Sequence, residues 1–459
     1  MRSIIFARLL MPADFGLLNL ANVFTQFILI FANFGFNSGV IYHRDLDRED
    51  LSTCWWSNLA VDSLVAIVSC IVAYVSGHAT GNPTMIWIVC LLALQFIISA
   101  VGSINGALLR RLFMFKEIAL QQIAGAVSGM IAGVIFVAVL GWGIYGLVAG
   151  MVFGSIVMTI MNFWYLPWLP SAIFSRSHLR RHLGYGGWFL GVSIVTYVNS
   201  NLDRAVIGTK LNTTQLGFYE YASNIPLTVA NQLTSAINLV LFPAISSLQD
   251  DLARLTVLLR QVYRYNALII YPLLCGIALV ARDLVLAVYG ARWLPIVLPM
   301  QLFCLAGAVR VIVNPIYPLC NGLGLPRLPF KWSLVVLPLN LIAVFLFIHW
   351  HGLTGAVEAR LLVPLFITAT LGREIFRRAE FRFKWMFLAL LPALVCCAAM
   401  SAVVLSVHWA IGDGISSPLM RLLIQVAAGM TAYAATLLFG FREDWQLMSQ
   451  LARRFLQNL

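Results

Sequence analysis

"WFLGVSIVTYVNSNLDRAVIGTK", residues 188–210, decides how this chain folds. It opens as an apolar run, yet two Asn, an Asp and an Arg follow before apolar character resumes at Ala205. A membrane-spanning helix carries charge only where protein or water receives it. The rest of the sequence shows that this is such a helix. Of 459 residues, 61% are apolar and only 10% charged, against roughly 25% charged in soluble domains. Apolar runs of about twenty residues recur from end to end, each able to cross the ~30 Å hydrocarbon core as a helix. Backbone exposed to lipid must close its hydrogen bonds within helices or a barrel. Barrel strands alternate with period two, and these runs are continuous.

The polar breaks predict helices near 15–41, 55–76, 84–109, 120–140, 143–167, 185–208, 216–245, 265–288, 296–320, 330–348, 353–372, 384–409 and 418–440, with a stub at 1–10. The expected fold is therefore an all-α polytopic membrane protein of 13 spans. The loops are too short for a folded domain outside the membrane. Lys and Arg set the orientation. Alternate loops hold 21 of the 30 basic residues, which places that side in the cytoplasm and makes the net charge of +12 an orientation signal. Nucleic acid is not needed to explain it. Three segments on this side, 173–183, 250–264 and 444–455, read as amphipathic interfacial helices. The start, "MRSIIFARLLMPADFG", is a poor signal peptide because Arg8 and Pro12 interrupt its short apolar stretch.

Eight cysteines lie within or beside apolar runs and form no CxxC pair, so they read as small core residues. His178 and His182 are four apart but lack a third ligand nearby, and no metal or cofactor is implied. Gly125, Gly129 and Gly133, and Gly146, Gly150 and Gly154, form small-residue ladders that predict close helix contact.

"RLLMPADFGLLNLA" (8–21) and "TKLNTTQLGFYEYA" (209–222) align at an offset of 201, matching Leu10 with Leu211, Gly16 with Gly217 and Ala21 with Ala222. This implies two parallel-repeat helical lobes around a central cavity. The stub at 1–10 then corresponds to the tail of the first half's opening helix, a truncated first helix lacking some fifteen to twenty residues. The expected divisions are an N-terminal lobe at 1–183, a C-terminal lobe at 184–380, and two extra helices with an amphipathic tail at 381–459. The helices that follow the repeated turn both carry polar stripes. One face of 216–245 holds Asn224, Thr228, Asn231, Ser235 and Asn238, extended by Tyr221. Helix 15–41 holds Asn19, Gln26 and Asn33, flanked by Asn22 and Asn37. Interhelical packing needs one such residue; two full stripes fit a wet cavity better. Further intramembrane charges are Asp62, one turn after Asn58, and Asp203, Arg204, Arg310, Glu358 and Arg360. Local ion pairing or snorkelling accounts for Glu358 and Arg360, which lie near a helix start. Arg204 and Arg310 suit an anionic head group, since guanidinium binds phosphate bidentately.

The segment "FARLLMPADFGLLNLANVFTQFILIFANFGFNSGVIYHRDLDREDLSTCWWSNL" (6–59) resembles the opening of the polysaccharide transporter (oligosaccharide flippase) family of the multidrug/oligosaccharidyl-lipid/polysaccharide superfamily. "YVNSNLDRAVIGTKLNTTQLGFYEYA", "LVLFPAISSLQDDLARL", "GARWLPIVLPMQLFCLAG" and "NGLGLPRLPF" continue the resemblance in collinear order over nearly the whole chain. It implies two six-helix lobes, often with two further helices. It also implies a flippase for undecaprenyl-diphosphate-linked oligosaccharide in the bacterial inner (cytoplasmic) membrane, serving O-antigen, capsule or exopolysaccharide assembly beside other polysaccharide-assembly proteins. Arg8 matches the Arg of the family's first turn and Asp203 the Asp of its Ile-Gly segment; Arg204 stands where the family varies. The scheme expected is alternating access. Arg8, Arg204 and Arg310 attract the diphosphate, and Asn19, Gln26, Asn33, Asn224, Asn231 and Asn238 bond the sugar hydroxyls. Asp62 or Asp203 couples a proton or Na⁺. The rival readings are a multidrug/cation antiporter of the same superfamily, a lipid II flippase, and a membrane-embedded polymerase or ligase. The last needs catalytic groups in substantial outer loops, which "SGHATGNP", "LGWG", "HWHG" and "IGDGISS" do not provide.

Overall fold

A computed structural model describes residues 2–32, 47–80, 83–175, 186–248, 251–325, 327–411, 415 and 417–446. Asn33, Asn37, His178, His182 and most of the two segments expected as interfacial helices at 173–183 and 444–455 lie outside these residues. So do the side chains of Ser235 and Asn238. Every regular element among the described residues is helical. Ten stretches of the described residues are long and apolar enough to cross a membrane. The longest, Arg327–Arg378, is two helices broken at Gly352 (φ 58°, ψ −129°), and the break falls in the expected "HWHG" turn.

Contacts divide the chain into two compact units, Met1–Gly217 and Phe218–Leu459. The first begins with α1 (Arg2–Leu9), α2 (Pro12–Ala32), α3 (Arg48–Thr80), α4 (Pro83–Val101) and α5 (Ser103–Arg111). It continues with α6 (Phe115–Val134, extended by a π-helical turn), α7 (Ile144–Tyr165), α8 (Gly186–Lys210) and the start of α9 (Thr213–Ser247). The hydrophobic effect cannot drive apolar helices together inside lipid, so close approach of small residues has to hold them. The expected glycine ladders do so. A methyl on Gly125 would come within 2.9 Å of the Gly154 carbonyl, and one on Gly129 within 2.8 Å of the Gly150 carbonyl, which runs α6 and α7 antiparallel. Outward, α3 presents Leu64, Ile67, Ile71 and Val75, exposed and spaced along one face as lipid contact requires.

The second unit holds most of α9, then α10 (Leu252–Leu279), α11 (Ala281–Val288), α12 (Val297–Val313) and α13 (Ile316–Gly322). After these come α14 (Arg327–Ile367), a π-helical turn at Thr368–Gly372, α15 (Arg373–Arg378), α16 (Phe383–Ile411) and α17 (Pro418–Gly440). Segment 250–264, expected as a separate interfacial helix, is instead the first half of α10. The apolar face that suggested contact with lipid is a core face: Leu255, Leu259 and Tyr263 are fully buried against Ile316, Leu319 and Phe376. Two ion pairs fasten the last helices. Arg264 meets the buried Asp444 at 2.6 Å, and Arg421 of α17 meets the buried Asp283 of α11 at 3.3 Å. Gln425 adds a hydrogen bond of 3.1 Å to Asp283. All eight cysteines are free thiols, five of them buried and three half-buried.

The aligned turns of the internal repeat meet each other. Gly16 leaves no room for a side chain beside the Thr213 carbonyl, and Gly217 none beside the Pro12 carbonyl. Thr213 is Pro12 displaced by the repeat offset of 201, and Gly217 is Gly16 displaced by the same offset. The two turns thus make the same contact in both directions, and all four residues lie within the first unit. Gly16→Ala or Gly217→Ala should each destabilise the protein by about 1–3 kcal/mol, the usual cost of overpacking. Thermal unfolding in detergent checks this, with Gly276→Ala, which meets nothing within 4 Å, as the neutral control.

Candidate functional site

A polar side chain in a membrane helix can bond its own backbone, bond a neighbouring helix, or face water. All three occur here. In the first unit, Thr25 returns its hydroxyl to the Ala21 carbonyl at 2.9 Å, and Asn19 donates to the Phe15 carbonyl at 2.8 Å. Asn19 and Asn22 are half-buried on α2, and Gln26 is exposed. Asn58, buried on α3, donates to Ser103 Oγ at 3.1 Å, with Asp62 half-buried one turn later. Arg8 is exposed in the last turn of α1.

Helix α8 explains the quoted stretch. Tyr197, Asn201 and Arg204 are spaced by four and three residues and so share a face. Tyr197 donates its hydroxyl to the Val23 carbonyl of α2 at 2.7 Å and places its ring 6.0 Å from Phe27. Asn201 Nδ2 donates to the Tyr197 carbonyl at 3.1 Å, and Arg204 donates to Asn201 Oδ1 at 2.7 Å. The guanidinium is therefore held by a ladder that ends on the neighbouring helix. Asp203, one residue away, is turned aside and almost fully buried. Sequence reasoning singled out Arg204 and Asp203 but not Tyr197 or Asn201; their spacing with Arg204 was the available signal.

In the second unit, Asn224, Thr228 and Asn231 are all exposed on one face of α9. Thr234, buried on α9, accepts a hydrogen bond of 3.0 Å from Asn314 Nδ2, just past the end of α12. One turn before Asn314 on α12 is Arg310, half-buried, and one turn after it is Tyr317 on α13. Arg360 of α14 lies near enough for its charge to act on Arg310, and Tyr317 acts on the same guanidinium. Arg310 thus lies one turn from a contact with α9 and within reach of the charge of Arg360. Glu358 goes elsewhere, to His351 Nδ1 at 2.6 Å. Guanidinium groups bind phosphate oxygens bidentately, so this neighbourhood suits an anion.

Tyr197→Phe, which removes only the hydroxyl that reaches α2, should cost about 1 kcal/mol. A lowered Tm in detergent is the expected reading, and an unchanged Tm contradicts the ladder.

Residues 5–298 match the family described as polysaccharide biosynthesis protein. The lipopolysaccharide biosynthesis protein WzxC of Escherichia coli is 25% identical over 372 residues, covering 79% of this chain and 74% of that relative. The succinoglycan biosynthesis transport protein ExoT of Rhizobium meliloti is 22% identical over 455 residues, covering 98% and 91%. Among solved structures, lipid II flippase MurJ in an inward closed conformation superposes with a TM-score of 0.73 at 15% identity, covering 96% of each chain, a likeness of fold. With its apolar helices, its two units and a family match spanning more than half its length, this chain is a multi-pass membrane protein that belongs to the polysaccharide biosynthesis protein family.

Proposed function

We propose that this protein is a flippase that carries undecaprenyl-diphosphate-linked oligosaccharide across the bacterial inner membrane by alternating access. Its product feeds O-antigen, capsule or exopolysaccharide assembly. The observation that carries this reading is the exposed polar face Asn224, Thr228 and Asn231 of α9, with Arg310 one turn from the Asn314–Thr234 contact with that helix and within reach of the charge of Arg360. A diphosphate bears the charge that two guanidinium groups neutralise, and amide and hydroxyl side chains suit sugar hydroxyls. Arg8 and Arg204 supply the corresponding cations of the first half, with Asn19 and Gln26 as its sugar-facing groups. By their spacing in the sequence, Asn33 and Asn238 join the proposed sugar-facing groups. No covalent bond of the substrate changes, so the chain acts as a transporter and not as an enzyme. A cation antiporter fits less well, because adjacent arginines repel cationic cargo. Asp62, half-buried beside a polar contact between helices, is the first candidate for a coupling proton or Na⁺, and Asp203 the second.

Complementation of a host lacking its own polysaccharide flippase tests the reading. Arg310→Gln and Arg360→Gln should each lower polymer export at least roughly tenfold, as loss of one charged hydrogen bond predicts, while lipid-linked oligosaccharide accumulates. Arg310→Lys should retain part of the activity, because charge persists without the planar fork. Normal export by both Gln variants at equal membrane abundance contradicts the proposal.

A further inference from the structure

The second unit has another concentration of positive charge, apart from Arg310 and Arg360. It lies where the stretch Arg327–Arg378 ends, on the side that the basic loops assign to the cytoplasm. A cavity of about 600 Å³ opens there, lined by Trp332, Thr370, Arg373, Glu374, Arg377 and Arg378 among others. Its size falls within the ~300–1,000 Å³ of ordinary small-molecule sites.

Local structure builds this pocket. The π-helical turn Thr368–Gly372 inserts an extra residue just before α15, a distortion that recurs at functional sites. Thr370 spends its hydroxyl on the Phe366 carbonyl at 2.7 Å, and Phe366 stands edge-on to Trp332 with ring centroids 6.2 Å apart. Trp332 Nε1 donates to Glu374 Oε2 at 3.2 Å, and Arg378 donates to Glu374 Oε1 at 3.3 Å. The single carboxylate is therefore engaged on both oxygens. Arg373 and Arg377, one turn apart and both exposed, form no ion pair with a described residue. Three guanidinium groups against one carboxylate leave two positive charges in the pocket.

Its surroundings distinguish a lipid from a free ion. Leu334 and Val335 follow Trp332 on α14, and Leu362 and Leu365 precede the π-helical turn; all four are exposed. The charged pocket thus sits at the end of an outward apolar surface, as a phosphate group sits above its acyl chains. A Trp at this level is the common interfacial anchor. Basic pockets between membrane helices on the cytoplasmic side hold phosphate-bearing head groups in this manner.

We propose that Arg373 and Arg377 bind the phosphate of an anionic phospholipid of the cytoplasmic leaflet, with Trp332 walling the head group from the hydrocarbon. This site is separate from the transported substrate and does not depend on its identity.

Native mass spectrometry of the purified, delipidated full chain tests this with phosphatidylglycerol, cardiolipin or phosphatidylethanolamine added back. The paired variant Arg373→Gln/Arg377→Gln should lose phosphatidylglycerol and cardiolipin adducts roughly tenfold, with phosphatidylethanolamine adducts unchanged. The charge-matched control Arg260→Gln/Arg442→Gln should keep them. Should the Gln pair fail to accumulate, Arg373→Lys/Arg377→Lys carries the same comparison with a smaller loss, since it keeps charge and gives up the fork. Wild-type retention of anionic lipid by the variant, or an equal fall for phosphatidylethanolamine, overturns the proposal. Displacement of the lipid by millimolar orthophosphate also overturns it, by making this a site for free phosphate.

Discussion

In hydrocarbon a backbone amide has no water to turn to, and this constraint governs the whole molecule. Each N–H and C=O must be satisfied within its own segment, so the chain folds into helix after helix. Once the backbone is satisfied, helices attract one another mainly by fitting closely. That is why the glycine ladder of α6 and α7 and the reciprocal contact of Gly16 and Gly217 occur where they do. The second contact ties the internal repeat to the fold, because the same two backbone atoms of each turn meet at equivalent positions. A side chain added at either glycine would part the turns that introduce the two polar-striped helices.

With the backbone closed, polarity inside the bundle belongs to side chains, and each has to be placed. Some are consumed locally, like Thr25 and Asn19. Others join helices, like Tyr197 with Val23, Asn58 with Ser103 and Asn314 with Thr234. A remaining group, Asn224, Thr228 and Asn231, is exposed on a helix otherwise rich in apolar residues. An amide turned to acyl chains would forfeit hydrogen bonds worth several kcal/mol, on the order of its transfer cost to hydrocarbon. Exposure of three such residues on one face therefore requires water beside them. The charged groups follow the same rule of placement: Asp444 and Asp283 are each matched by one Arg, and Arg310 lies within reach of Tyr317 and Arg360.

The helices were legible in the sequence because length and apolarity are local properties. The glycine ladders and the break at Gly352 were legible for the same reason: spacing alone betrays them. Segment 250–264 misled because an amphipathic face looks alike whether it meets lipid or a protein core; Leu255, Leu259 and Tyr263 meet the core. Partners distant in sequence were not legible either. Nothing near Asp283 announces Arg421, and nothing near Arg310 announces Arg360, which sequence alone reads as a snorkelling charge near a helix start. Tyr197 and Asn201 fall between these cases. Their spacing with Arg204 was visible, but an acceptor on α2 becomes apparent only once α2 and α8 pack together.

The central claim is that water reaches the polar face of α9. Its most direct test is accessibility of single cysteines placed at Asn224, Thr228 and Asn231, in a background whose eight native cysteines are replaced by Ser or Ala. Cysteines at Leu64, Ile67 and Ile71 on the apolar face of α3 supply the comparison. Rapid reaction of the α9 positions with a water-soluble thiol reagent, with the α3 positions inert, is the predicted result. If the α9 positions are as unreactive as those on α3, that face is dry and the account fails.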